Sequence, residues 1–203
     1  MRMIKVEKLV CDSRYHRKRA AEHAEKLLHF ANAKENQHYL EVGCGNGAAA
    51  IYITKKYHLH VTGIDVDPEQ IRCAKERAKG LTNIHFYVCD ATNLPFQDSD
   101  FDIVATFGVM HHVSNWINAL VEIKRVLKPG GYFIFFDLVY SRWMAGFWER
   151  FVKNYGFPTQ EALTSFIERN RFSTIYSSFS KSFILHRLEA VYYYTLQGAI
   201  ERD

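Results

Sequence analysis

The run Tyr39-Leu40-Glu41-Val42-Gly43-Cys44-Gly45-Asn46-Gly47 restricts the fold of this chain more than any other stretch. It reads as a buried strand entering a glycine-rich loop, with a helix starting at Ala48. Three glycines at alternate positions let backbone N–H groups approach a ligand closely and let φ turn positive. The helix that follows aims its N-terminal N–H groups and the positive end of its dipole at the same place. A carboxylate, a phosphate or a polarised ribose would be received there. Loops of this kind occur in many doubly wound proteins, so the residues further along must decide the ligand.

The strands and helices that follow alternate. Strands are expected at His38 to Val42, Leu59 to Asp65, Asn83 to Cys89, Asp102 to Phe107 and Tyr132 to Val139, and helices at Ala48 to Tyr57, from Pro68 to about Gly80, and at Trp116 to Leu127. Asp67-Pro68-Glu69 starts its helix well, with Asp67 as cap and Pro68 at the first helical position. In the Trp116 helix, Ile117, Leu120, Val121 and Ile123 or Lys124 fall at helical spacing, and Lys128-Pro129-Gly130-Gly131 should break the chain before the fifth strand. This rhythm predicts a parallel, doubly wound α/β sheet with right-handed crossovers. After Val139 it changes: an aromatic segment from Ser141 to Tyr155, a helix from Thr159 to Asn170, then strands at Phe172 to Phe179 and Phe183 to Thr195. The short gap between the last two permits only an antiparallel hairpin.

The bulk properties narrow the class. A 203-residue chain that is 48% hydrophobic suits one α/β domain with its own core. A net charge of +4 allows an acidic or nucleic-acid substrate without requiring one. Residues 1–8 are charged throughout, unlike a signal peptide, and no apolar run is long enough to span a bilayer. Cys11, Cys44, Cys73 and Cys89 are scattered, which suggests neither a metal site nor a disulfide framework and fits a cytoplasmic location.

In open α/β sheets ligands sit beyond the carboxyl ends of the strands. Asp65 ends the second strand, 22 residues after Gly43, the usual interval for a carboxylate that accepts from both ribose hydroxyls. Asp90 ends the third, where it can accept from an exocyclic amine, and Asp137 lies near the end of the fifth. An isolated aspartate at a strand end is as readily a cap or turn former, but two at successive ends beside a glycine loop favour a binding role.

Glu41 to Gly47, Gly63-Ile64-Asp65-Val66-Asp67-Pro68, Cys89 to Phe96, Phe101-Asp102 and Leu127 to Gly131 together resemble, in order and spacing, the motifs of class I S-adenosylmethionine-dependent methyltransferases. The branch they are most similar to is that of the ubiquinone/menaquinone-biosynthesis-like small-molecule enzymes, and the likeness covers about residues 38 to 137. It implies a Rossmann-like, mostly parallel seven-stranded sheet ending in an antiparallel hairpin strand. It also implies that S-adenosyl-L-methionine is bound and released as S-adenosyl-L-homocysteine. Glu41, Gly43, Cys44 and Gly45 would surround the methionine part. Asp65 would take the ribose hydroxyls, Val66 would pack on the adenine, Asp90 would accept from its amine and the Ala91 N–H would lie beside the ring. The Phe107 carbonyl would face the ammonium. The N-terminal helix often closes the site in this family, which would bring Tyr15 to the ligand.

The implied domain is single: a lid helix in residues 1–35, a cofactor-binding core at 38–140, a cap at 141–171 and a hairpin at 172–195. The basic, aromatic start of the first helix, Arg14 to Arg19, is read either as a solvated helix end or as that lid. His111 and His112 follow the fourth strand, where one could take a proton from an attacking hydroxyl or amine, or one ring could simply pack or cap while the other faces solvent. The aromatic segment and Arg14, Arg142 and Arg150 are expected to flank a small acidic or aromatic acceptor.

Three alternatives compete with this reading. A dinucleotide oxidoreductase needs G-x-G-x-x-G, whereas the spacing here is G-x-G-x-G with Ala48 at the last variant position. A nucleic-acid methyltransferase, RNA included, is disfavoured by the spread of basic residues and by Thr106-Phe107-Gly108-Val109 after the fourth strand. A protein of the same fold that binds cofactor or a partner without transferring methyl groups would be separated by turnover.

Overall fold

The computed structural model describes residues 14–152, 155–181 and 186–195, and their side chains except those of residues 14–19 and 181. Seven strands form one sheet in the order β3-β2-β1-β4-β5-β7-β6. The five parallel ones are β1 (His38–Val42), β2 (His60–Asp65), β3 (Ile84–Val88), β4 (Phe101–Phe107) and β5 (Leu127–Val139). β6 (Phe172–Lys181) and β7 (His186–Tyr194) form the expected antiparallel pair, and β7 also runs antiparallel to β5, so the last strand lies between β5 and β6. The order reverses at β1, which has β2 on one side and β4 on the other, and this is where such sheets open a crevice.

Strand alternation divides the core into two layers. Tyr39, Ile103, Ala105 and Ile134 face a layer built with α1 (Arg14–Phe30), α2 (Ala48–Tyr57) and α3 (Pro68–Arg77). Leu40, Val104, Phe133 and Phe135 face the opposite layer, built with α4 (Trp116–Val126) and α6 (Gln160–Arg169). A short α5 (Arg142–Trp148) lies between β5 and α6. Caps behave as their chemistry dictates: Asp67 accepts from the Glu69 N–H, and Ser141 and Thr159 accept from Met144 and Ala162.

Two details differ from the sequence reading. α4 buries Trp116, Ala119, Leu120, Ile123 and Val126, leaving Ile117 and Val121 exposed, because Trp116 and Val126 set the inward stripe one residue away from the face expected. β5 begins at Leu127, not Tyr132. Lys128 to Gly131 stays within the strand as an irregularity, with Phe101 paired to Leu127 and Ile103 to Tyr132. Gly130 makes this possible at φ +84, and Gly131 packs so closely that a Cβ there would lie 2.6 Å from the Asp102 carbonyl oxygen. The Asp102 carboxylate secures the region by accepting from Lys128 Nζ and from the His38 N–H.

The revised face of α4 can be tested. Leu120 is 0% exposed and Val121 is 49% exposed. In urea unfolding, Leu120→Ala should cost about 2–5 kcal/mol, and Val121→Ala should stay within about 0.5 kcal/mol of the parent.

Candidate functional site

The loop after β1 is shaped by hydrogen bonds to the end of β2. The Gly43 and Cys44 N–H groups both donate to the Ile64 carbonyl at 2.8 Å, and the Gly45 N–H donates to Asp65 Oδ2 at 2.9 Å. The Gly47 N–H turns back to the Cys44 carbonyl. The donors of Gly43, Cys44, Gly45 and Gly47 are therefore engaged inside the protein and do not form the ligand cradle that the sequence suggested. Gly43 is required twice over, by its φ of +74 and because a Cβ there would meet Val109 Cγ2 at 2.2 Å. Gly45 has room for a Cβ and is required only by its φ of +50.

A cavity of about 660 Å³ opens at this crevice, at the carboxyl ends of β1, β2 and β4. Glu41, Gly43, Cys44 and Gly45 line one part of it, Asp65 and Val66 another, and Asp90 and Ala91 a third. Phe107 and His112 line the side toward β4, and Ala20 brings α1 to the same cavity. The structure thus gathers ten of the residues singled out in the sequence. Tyr15 and Arg14 fall outside the described side chains, so their contacts with a ligand lie outside what is described.

Four carboxylates, Glu41, Asp65, Asp67 and Asp90, line this cavity, and no lysine or arginine does among the described residues. Asp65 spends one acceptor site of each oxygen on the backbone, Oδ2 on Gly45 and Oδ1 on Asp67. Asp90 accepts from the Thr92 N–H and hydroxyl through Oδ1. Glu41 is 3% exposed and accepts from the Ala50 N–H, satisfying a donor in the first turn of α2, while its Oε2 has no hydrogen-bond partner among the described residues. Burial, reinforced by the charge of Asp65, pushes the Glu41 carboxyl up to about 8. Burial, with Glu41 and Asp65 nearby, also holds the Cys44 thiol well above its ordinary range, so Cys44 contributes a neutral contact surface.

The far wall depends on Asp137, whose position in the sequence disclosed no role. Its buried carboxylate accepts from the Val109 N–H at 2.8 Å and the Met110 N–H at 2.6 Å through Oδ2. Oδ1 accepts from the Leu138 N–H and lies 2.5 Å from His111 Nδ1. His111 is not among the cavity-lining residues. Its ring packs on His112 with centroids 4.0 Å apart, and His112 packs on Tyr155 at 5.5 Å. A lone aspartate in a strand can be seen in a sequence, but its convergence on a loop 27 residues earlier cannot.

The aromatic segment departs from expectation. Trp143 is 77% exposed and Phe151 is 68% exposed, and with Phe147 and Trp148 they contact one another without lining the cavity. Arg142 and Arg150 do not line it either. From this segment it is Tyr155, through His112, that approaches the site.

Residues 40–135 match the family described as the methyltransferase domain. That stretch, a little under half of the chain, is similar to a methyltransferase domain. Norajmaline N-methyltransferase from Rauvolfia serpentina is 35% identical over 119 residues, 55% of this chain and 41% of that protein. A phthiotriol/phenolphthiotriol dimycocerosates methyltransferase from Mycobacterium tuberculosis (strain ATCC 25177 / H37Ra) is 41% identical over 100 residues, 49% of this chain and 37% of that protein. The match thus spans about two fifths of the length of these curated relatives. The domain also shares its fold with geranyl diphosphate C-methyltransferase from Streptomyces coelicolor A3(2), solved with Mg2+, geranyl diphosphate and S-adenosyl-L-homocysteine. The TM-score is 0.72 at 13% identity, covering 90% of this chain and 83% of the other.

Glu41 makes stability depend on pH. Its folded value lies above the ordinary value of 4.5, so the folded state holds the proton more tightly. That stabilisation is complete below about pH 4.5 and is lost as the pH rises through about 8. Urea unfolding of the ligand-free protein at pH 5 and pH 8.5 should show the parent losing stability relative to Glu41→Gln. Equal slopes in the two proteins would mean that Glu41 titrates as an ordinary carboxyl.

Proposed function

We propose that the chain is an S-adenosyl-L-methionine-dependent methyltransferase acting on a small molecule. The observation that carries this reading is the cavity's acidic lining: the carboxylates of Asp65, Asp67 and Asp90 beside the protonated Glu41 carboxyl, no lysine or arginine among the described lining residues, and loop donors already engaged. A dinucleotide's pyrophosphate would meet repulsion and few free donors there. A ligand with a sulfonium, an ammonium and a ribose diol meets complementary acceptors. The match of residues 40–135 to a methyltransferase domain and the S-adenosyl-L-homocysteine found in a neighbour of the same fold support the same cofactor.

The residues divide the work by position. Asp65 takes the ribose hydroxyls from its place at the end of β2. Val66 packs on the adenine, and Asp90 accepts from its amine beside the Ala91 N–H. Glu41, Gly43, Cys44 and Gly45 surround the methionine part, and the Phe107 carbonyl faces its ammonium. The start of α2, where Gly47 provides no side-chain cap, receives the carboxylate. When bound, the cofactor supplies an activated methyl group, so the protein's task is to align the acceptor in line and exclude water. His112 faces the acceptor and takes its proton where the nucleophile carries one. His111, held by Asp137, positions His112 through the ring contact.

The acceptor is a small organic molecule, in keeping with relatives named for an alkaloid and for a lipid. Nucleic acid is disfavoured by the acidic cavity. Ala20 at the cavity supports α1 as a lid on a single domain, and the cap at 141–171 would reach the site through Tyr155, which packs on His112. A cytoplasmic setting is supported by the free thiols of Cys44, Cys73 and Cys89. Among the described residues no helix is long and apolar enough to cross a membrane.

Calorimetric titration with S-adenosyl-L-methionine, S-adenosyl-L-homocysteine and NAD tests the cofactor. The parent should bind the two sulfur compounds and not NAD. Asp65→Asn, which can still accept from the Gly45 N–H, should weaken binding by about 10- to 100-fold, and Asp65→Ala should abolish it. A folded protein that binds neither sulfur compound, or binds NAD equally well, would overturn the reading. With binding established, methyl transfer in an acceptor screen separates an enzyme from a non-catalytic member of the fold.

A further inference from the structure

We infer that α5 and the turn after it form a docking surface for an anionic lipid bilayer. Of the seven residues of α5, Ala145 alone is buried. Trp143, Phe147, Trp148 and Phe151 are exposed together, and ring contacts join them: Trp143 to Phe147 at 6.3 Å, Phe147 to Trp148 at 5.5 Å and Phe147 to Phe151 at 5.2 Å. Single exposed apolar residues are ordinary on a protein surface, but four contiguous aromatic rings mark a surface that is covered in use.

Charge identifies what covers it. Arg142 and Arg150 bracket the rings, both exposed, and neither side chain makes an ion pair among the described residues. The arginines elsewhere that are drawn into ion pairs, Arg72 and Arg125, have glutamate or aspartate partners. Glu149 lies between and opposes an anionic surface, but the net charge of +4 and the two bracketing guanidiniums outweigh it. Tryptophan and phenylalanine at the boundary of the acyl chains, with arginines reaching lipid phosphates, are the chemistry of a helix lying in the membrane interface.

The placement suits a role in catalysis. α5 begins directly after β5 and Tyr140, at the carboxyl end of the parallel strands, which is the side on which the cavity opens. A bilayer seated on these rings would lie beside the site, so an apolar acceptor could pass from lipid to cavity without crossing water. This purpose rests on the proposed methyl transfer, whereas the docking itself does not.

Co-sedimentation of the full chain with vesicles of phosphatidylcholine alone, or of phosphatidylcholine with phosphatidylglycerol, tests the surface. The parent should bind the anionic vesicles, with a blue shift of tryptophan emission. Trp143→Ser/Phe151→Ser should weaken that binding at least about tenfold, and Arg142→Gln/Arg150→Gln about thirtyfold on anionic vesicles alone. Glu149→Gln should strengthen it. All four proteins should bind S-adenosyl-L-methionine equally in calorimetry without vesicles, which shows the fold intact and separates failure here from failure of the cofactor reading. The inference is overturned if the cofactor-binding parent ignores both vesicles, or if the aromatic variant binds them as tightly as the parent. It is also overturned if sedimentation velocity shows a parent dimer that the aromatic variant abolishes, assigning the rings to a second copy.

Discussion

The carbonyl of Ile64 accepts both the Gly43 and the Cys44 N–H, and these bonds fix the loop after β1 against the end of β2. Successive donors converge on one acceptor here because the backbone turns through the left-handed region at Gly43, a conformation that other residues adopt at a cost. The missing side chain at Gly43 leaves the space that Val109 fills, and the Val109 N–H is held by Asp137. Through these contacts β2, β1, the loop after β4 and β5 are tied together around one cavity. A change at any one of them is felt at the others.

Much of this was legible in the chain. The alternation of strands and helices gave the parallel half, and the short gap near the C-terminus gave the antiparallel pair, because both follow from local pattern and connection length. Gly43, Asp65 and Asp90 could be placed because each sits where a strand ends. What could not be read were partnerships across the sheet. Nothing near Gly43 in sequence indicates that its N–H is taken by Ile64, so the loop looked like a donor cradle. Nothing near Asp137 indicates that it accepts from Val109 and Met110 and meets His111. The inward face of α4 was displaced for a related reason: Ile117 and Val121 are as apolar as the residues that were buried in their place, and only the packing partners decide. The aromatic segment looked like a pocket wall because composition records ring content, not which side of a helix meets the body.

The electrostatics of the cavity are easier to understand once its donors are accounted for. Engaging the loop N–H groups internally leaves acceptors to dominate the lining, and burial, reinforced by the charge of Asp65, makes Glu41 hold its proton to about 8. A cationic ligand would favour releasing that proton, so ligand charge and Glu41 ionisation are coupled.

The position of β7 has a bearing on the order in which the molecule can be completed. β6 pairs with β7, and β7 pairs with β5, so β6 emerges from synthesis before the strand that joins it to the sheet. α1, which contributes Ala20 to the cavity, is anchored to the same strand through Lys26 and Glu189, and its His23 stacks on Phe136 of β5. A helix made early therefore gains its final anchor only when one of the latest strands arrives. On a ribosome, the crevice between β1 and β4 can therefore form before β7 arrives to anchor α1 beside it.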